Sequence, residues 1–89
     1  MAKYAYHRVD SNAEEIYRAL EQVGCSVFRG GPLDAIIGRR QRTYLVEVKT
    51  ARGKLRASQK AFLAGWRGHA VVVRTVKEAL AAVIGGEGR

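Results

Sequence analysis

The chain reads as an α/β protein whose elements run helix, three strands, helix, strand, helix, giving a mixed sheet flanked by helices. Three observations predict this. Two segments, 10–24 and 75–84, carry apolar residues at helical spacing behind a capping signal. The stretches 35–37 and 44–49 are short apolar or alternating runs separated by a polar turn. The run "HAVVVR" at 69–74 is an uninterrupted apolar strand. A meander followed by a helical crossover to a fourth strand makes the sheet mixed.

Residues 1–9 (MAKYAYHRV) are aromatic and basic and read as a short strand or an ordered arm. In "DSNAEEIYRALEQVG", Ser11 and Glu14 have the spacing of a capping box, and Ile16, Leu20 and Val23 recur on one helical face. Gly24 is placed to end that helix. Ser26, Val27 and Phe28 start a strand, which Gly30-Gly31-Pro32 interrupts. Ala35-Ile36-Ile37 is the second strand, closed by Gly38, and Arg39-Arg40-Gln41-Arg42 turns the chain into the third, Tyr44–Lys49. After the basic loop "TARGKLR", residues 57–66 read as a helix with Phe62, Leu63 and Trp66 facing inward. Gly68 leads into "HAVVVR", whose composition suits a strand buried on both faces. Thr75 and Glu78 form a second capping box that opens "VKEALAAVI", and residues 85–89 (GGEGR) read as a frayed tail.

The 89 residues fit a single domain, 1–89, and leave no room for a second. The lone cysteine, Cys25, has no internal disulfide partner, so a reducing, cytoplasmic setting is expected. No apolar run approaches the roughly 20 residues of a membrane span, and no signal-like segment follows Met1. Charge says more. Sixteen Lys and Arg against eight Asp and Glu leave a net charge of +8. The resulting pI near 10.3 points to a polyanionic partner, with nucleic acid first. Acidic lipid is a weaker fit, because no helix joins a basic face to a large apolar one.

The chemistry-bearing residues cluster in "GGPLDAIIGRRQRTYLVEVKTARG". Side chains alternate along a strand, so Leu45, Glu47 and Lys49 share one face, and Tyr44, Val46 and Val48 the other. Asp34 opens the preceding strand, so a hairpin around Arg39–Arg42 sets it opposite Glu47 and Lys49 and gathers three charged groups at one sheet edge. Two carboxylates that close repel each other unless a cation lies between them. Mg²⁺ suits such a pair, and the Val48 carbonyl between Glu47 and Lys49 offers another oxygen. Lys49 is placed to hold an attacking water or to neutralise phosphate oxygens. On a basic protein, this set of parts is the one expected for phosphodiester hydrolysis. Singly, each has an ordinary reading: Asp near Pro as a turn residue, Glu-x-Lys as a solvated ion pair.

Pro32 and Asp34, followed by Glu47-Val48-Lys49, resemble the signature of the PD-(D/E)xK nuclease superfamily. The order of elements is that of its restriction-endonuclease-like αβββαβα core. The stretches "DAIIG", "TYLVEVKTARGKL", "SQKAFL" and "GHAVVVRTVKEAL" are similar to stand-alone VRR-NUC domains of phages and bacteria. The run from Asp10 to Lys49 is similar to archaeal-type Holliday junction resolvases. The resemblance implies Asp34 and Glu47 as metal ligands with the Val48 carbonyl, Lys49 as the catalytic lysine, and Gln59 as a helix glutamine facing the site. Gln59, Phe62 and Trp66 do lie on one helical stripe. Two departures stand out: Leu33 separates Pro32 from Asp34, and Ala13 stands where many relatives carry a metal-binding Glu, leaving Glu14 or Asp10 as substitutes.

The implied function is a Mg²⁺-dependent, structure-selective DNA endonuclease, with Mn²⁺ as a substitute ion. The leading expectation is a homodimeric Holliday junction resolvase making paired nicks in DNA recombination and repair. The alternatives are a VRR-NUC-type nuclease acting on flaps or nicked DNA, and a DNA-binding module without catalysis. Arg52, Lys54, Arg56 and Lys60 would line the DNA path, with Arg8 and Arg29 flanking the cleft and Arg39, Arg40 and Arg42 on the hairpin turn. Contacts of this kind hold phosphates and favour shape over sequence. Tyr4, Tyr6 and Trp66 are candidates for the dimer interface. His7, His69 and Cys25 are read as structural.

Overall fold

Helix α1 (Ala13–Gln22) ends in a Schellman motif, which is where the described chain shows its first firm turn. Gly24, at φ +97°, donates to Glu21 O at 3.0 Å, and Cys25 donates to Leu20 O at 3.0 Å. The computed structural model describes residues 12–85 and residue 87. The N-terminal arm, Arg8, Asp10 and Ser11 therefore lie outside the described residues. Asn12 is the N-cap of α1, yet its side chain makes no capping bond.

Strands β1 (Ser26–Arg29), β2 (Ala35–Arg39) and β3 (Arg42–Val48) form the expected antiparallel meander. The β1–β2 loop closes with Gly30 N donating to Asp34 O at 2.7 Å. Gly31, at φ +101°, leaves no room for a Cβ, which would fall 3.0 Å from Ile36 Cδ1. A two-residue turn joins β2 to β3, with Arg40 at φ 50° and Gln41 at φ 68°. Positive φ at both positions is the hairpin geometry that matches strand twist, here adopted without the usual glycine or asparagine.

Helix α2 (Ala57–Gly65) crosses over to β4 (His69–Val73), which pairs in parallel with β3. The sheet order is β1-β2-β3-β4, so β4 is an outer strand among the described residues rather than one buried on both faces. Only Val73 of β4 is fully buried, because α1 and α3 (Val76–Ile84) cover one face of the sheet alone. Ile16, Leu20, Ile37, Val46, Val48 and Val73 fill that layer with almost no exposure. The alternation of β3 holds: Tyr44, Val46 and Val48 join this core, and Leu45 and Glu47 take the other face.

Helix α2 corrects a second expectation, since none of its residues is fully buried. Phe62 and Leu63 are half-buried, and Trp66, just past the helix, keeps 43% of its surface exposed. The helix meets the open face of the sheet through Gln59 and Phe62 rather than along a full apolar stripe. Helix α3 opens at Thr75 with half of the expected capping box: Glu78 N donates to Thr75 Oγ1 at 3.0 Å, but Glu78 Oε1 accepts from Arg74 N at 2.7 Å rather than from Thr75 N. Glu87 is tied to the β2–β3 turn: its carboxylate accepts from Arg39 Nη2 at 2.9 Å and lies 3.5 Å from Arg40 Nη1. Among the described residues, no helix is long and apolar enough to cross a membrane.

Candidate active site

The site forms where β3 outruns β2. Strand β2 begins at Ala35, opposite Val46, so β3 extends past its last partner on that side. Asp34 completes the ladder with its side chain: Oδ2 accepts the Val48 N–H at 2.9 Å. This fixes one carboxylate beside Glu47, whose side chain shares the open face. The charged groups thus meet at the ends of two strands, with β3 inside the sheet, rather than at a sheet edge.

Glu47 is 3% exposed and is the one buried charged residue among those described. Burial raises its pKa above the usual carboxylate range, and the negative charge of Asp34 raises it further. A hydrogen bond and the positive charge from Lys49, together with Arg56, work in the opposite direction. Lys49 Nζ lies 3.3 Å from Glu47 Oε2. The same oxygen accepts from Gln59 Nε2 at 2.7 Å. Gln59 Oε1 in turn accepts the Arg56 backbone N–H at 2.8 Å, so one amide both caps α2 and orients Glu47. Asp34, Glu47, Arg56 and Gln59 border an open cleft of about 350 Å³, lined also by Leu33 and Phe62; Lys49 is not part of that lining.

Lys49 is anchored through its backbone. Its N–H donates to Val73 O at 3.0 Å, and Asn12 Nδ2 donates to Lys49 O at 3.0 Å and Arg74 O at 2.9 Å. The Arg74 guanidinium donates to Thr50 O at 2.6 Å and Gly53 O at 2.7 Å, clamping the loop that follows β3. Sequence reasoning missed Asn12, Arg74 and Tyr17. Asn12 resembles an ordinary cap, and no spacing in the chain links positions 12, 49 and 74. Tyr17 resembles a core aromatic. It is buried on α1, and its hydroxyl pKa is pushed up to about 12, first by burial and then by the charge of Asp34. Arg29 offsets part of this, with its guanidinium 5.0 Å from the Tyr17 ring centre.

Asp34, Glu47, Lys49 and Gln59 are therefore brought together, with the Val48 backbone beside them. Glu14 is not part of that group. Its carboxylate accepts from both terminal nitrogens of Arg29, one at 2.8 Å, and this ion pair holds it below the usual carboxylate range. Ala13, where a further acid was expected by resemblance, is buried in the core. Among the described residues, no three His, Cys, Asp or Glu side chains are grouped to hold a metal ion, and the site offers a pair of acids. Arg52, Lys54, Arg56 and Lys60 are exposed, and none pairs with an acid among the described residues. Arg8 lies outside the described residues, and Arg29 is committed to Glu14. Cys25 is buried, and His69 stacks on Tyr44 with ring centres 4.8 Å apart. No protein-family model, curated protein or solved structure matches the chain.

Proposed function

We propose that the chain is a divalent-metal-dependent, structure-selective DNA endonuclease of the PD-(D/E)xK type, built on a restriction-endonuclease-like core. The observation that carries this reading is the gathering of four groups on a strongly basic chain: Glu47 is held by Gln59 and Lys49, and Asp34, fixed by the Val48 N–H, lines the same cleft as Glu47 and Gln59. Such a grouping has no need to exist for folding. A buried acid beside a second acid opposes stability unless something offsets it.

The donor set fits Mg²⁺, with Mn²⁺ as a substitute. Asp34 uses Oδ2 for Val48 N–H and Glu47 uses Oε2 for Gln59 and Lys49, so Oδ1 and Oε1 have no hydrogen-bond partner among the described residues. A backbone carbonyl at Val48 would add a third oxygen, and a hard ion that keeps several waters needs no more from the protein. When bound, the ion supplies positive charge that draws in a phosphodiester and offsets charge developing on the scissile phosphate.

The chain's own residues supply the rest. Gln59 fixes the rotamer of Glu47, so the carboxylate loses little freedom on binding. The Lys49 ammonium, held against Glu47 Oε2, stabilises negative charge on the phosphate oxygens and positions the attacking water. Arg52, Lys54, Arg56 and Lys60 bind backbone phosphates without reading bases. This favours shape-selective binding, and a four-way junction, with its two-fold symmetry, would be cut by two copies acting as a homodimer. A reducing cytoplasm suits a chain whose lone cysteine is buried.

A second reading, a DNA-binding module without catalysis, is favoured by buried Ala13 and by the two-acid set. One experiment separates the readings. Purified chain, with Mg²⁺, is incubated with four-way junctions, flaps, nicked duplexes and plain duplexes, alongside Asp34→Ala and Glu47→Ala. Paired symmetric nicks in the junction, lost in both variants while binding persists, are the expected result. Preferential cutting of flaps or nicked DNA would move the assignment to the VRR-NUC-type activity. Binding without cleavage under every divalent ion would leave the module.

A further inference from the structure

We infer that the pair formed by Phe62 on α2 and Trp66 just past its end is a stacking platform for an unpaired base of the DNA substrate. This deepens the proposed function and rests on its nucleic-acid part.

Four observations lead there. Trp66 stacks on Phe62 with ring centres 5.3 Å apart and planes 23° from parallel, yet remains 43% exposed. The indole edge also lies over the glycine at position 68: a Cβ built there would come 2.9 Å from Trp66 Nε1, so a larger residue would have to shift the ring. A ring stacked on one face and still open to solvent is preorganised for a flat partner. Phe62, the inner ring of the stack, lines the same cleft as Asp34, Glu47 and Gln59. A base on Trp66 would therefore be continuous with the candidate scissile position. Finally, Arg56, Lys60 and Arg67 on and beside this helix are exposed and without acidic partners among the described residues.

Aromatic faces next to unpaired cations are the two components of sequence-tolerant single-strand recognition, since every base has a π-face and every linkage a phosphate. Bases inside an intact duplex are already stacked and cannot use the platform. The pair thereby discriminates in favour of DNA with opened or unpaired bases at a branch. A second copy of this chain fits the surface less well. Two copies meeting through α2 would bring Arg56, Lys60 and Arg67 of one against the same cations of the other.

Trp66 is the only tryptophan, so its emission reports this surface alone. The full chain is titrated in EDTA with single-stranded, flapped and four-way DNA and with blunt duplex, while anisotropy of labelled DNA records binding independently. Quenching by the first three, and little by bound duplex, is expected. Trp66→Ala should weaken binding of branched DNA by about 5- to 150-fold and spare blunt duplex, while Trp66→Phe restores most of the loss. Gly68→Ala should reproduce part of the defect by displacing the indole. Binding without any change in emission, or an equal loss for duplex and branched DNA, would overturn the platform. So would a dimer that Trp66→Ala converts to monomer while emission ignores DNA, which would make the surface a subunit contact. Metal is absent throughout, so quenching by a protein that never cleaves would overturn the nuclease reading alone. Cleavage without quenching would overturn the platform alone.

Discussion

Gln59 joins Glu47 to the start of α2, donating Nε2–H to Glu47 Oε2 at 2.7 Å while its Oε1 accepts Arg56 N–H at 2.8 Å. Both ends of one amide are thus engaged, and the site and the crossover helix share a single pin. Because α2 buries none of its residues, that pin counts for more than it would in a well-packed helix.

Gln59→Ala should therefore act on both. The helix loses one half of its capping arrangement, costing about 1 kcal/mol and lowering Tm by roughly 4–8 °C. Cleavage should fall at least tenfold at a temperature where the variant is fully folded, because Glu47 loses the donor that orients it. Thermal melts and single-turnover rates check the two effects separately, and an unchanged rate would remove Gln59 from the site.

The raised pKa of Glu47 has a definite sign in stability. Above its ordinary value of 4.5, the folded chain retains a proton that the unfolded chain has released. Stability from this group accordingly declines as pH rises from 4.5 through the elevated folded value, and the penalty is complete above it. Glu47→Gln removes the ionisation while keeping an acceptor for Gln59. Its Tm should exceed that of the wild type at pH 8, with the difference shrinking toward pH 4. Adding Mg²⁺ should raise Tm in the wild type and leave Glu47→Gln unaffected; melts across pH with and without the ion provide the check.

Glu14 is tied to Arg29 at the surface, and exposed ion pairs contribute little. Glu14→Gln should leave cleavage within about threefold of the wild type and Tm nearly unchanged. A loss as large as that of Asp34→Ala would instead assign Glu14 to the ion.

Asn12 bridges the ends of β3 and β4 through Lys49 O and Arg74 O, while its Oδ1 is buried without a partner among the described residues. Asn12→Ala leaves two carbonyls without their donor and should cost about 1–3 kcal/mol in urea unfolding. Asn12→Asp should cost more, because it sets a carboxylate against two carbonyl oxygens. An Asn12→Ala variant as stable as the wild type would show that the bridge contributes nothing.

Much of the fold was legible because its signals are local. The helix start at Thr75, the stop at Gly24 and the alternation along Tyr44–Val48 each arise from neighbouring residues, and each stands in the structure. Trp66 and β4 were misread for one reason. An apolar run records a preference for burial, but which layer remains to cover it depends on where the other helices pack. Here α1 and α3 share one face, leaving α2 loosely set on the other.

By itself, then, the sequence determined the order of elements, the strongly basic character, and the placing of Leu45 and Glu47 on one face of β3 with Tyr44, Val46 and Val48 on the other, because period, capping and charge are properties of adjacent residues. Only the tertiary structure decided that Asp34 closes onto Val48, that Arg29 takes Glu14, and that Asn12 and Arg74 hold the end of β3. Those contacts span 14 to 62 positions in the chain, and their partners are selected by the geometry of packed strands rather than by any local preference.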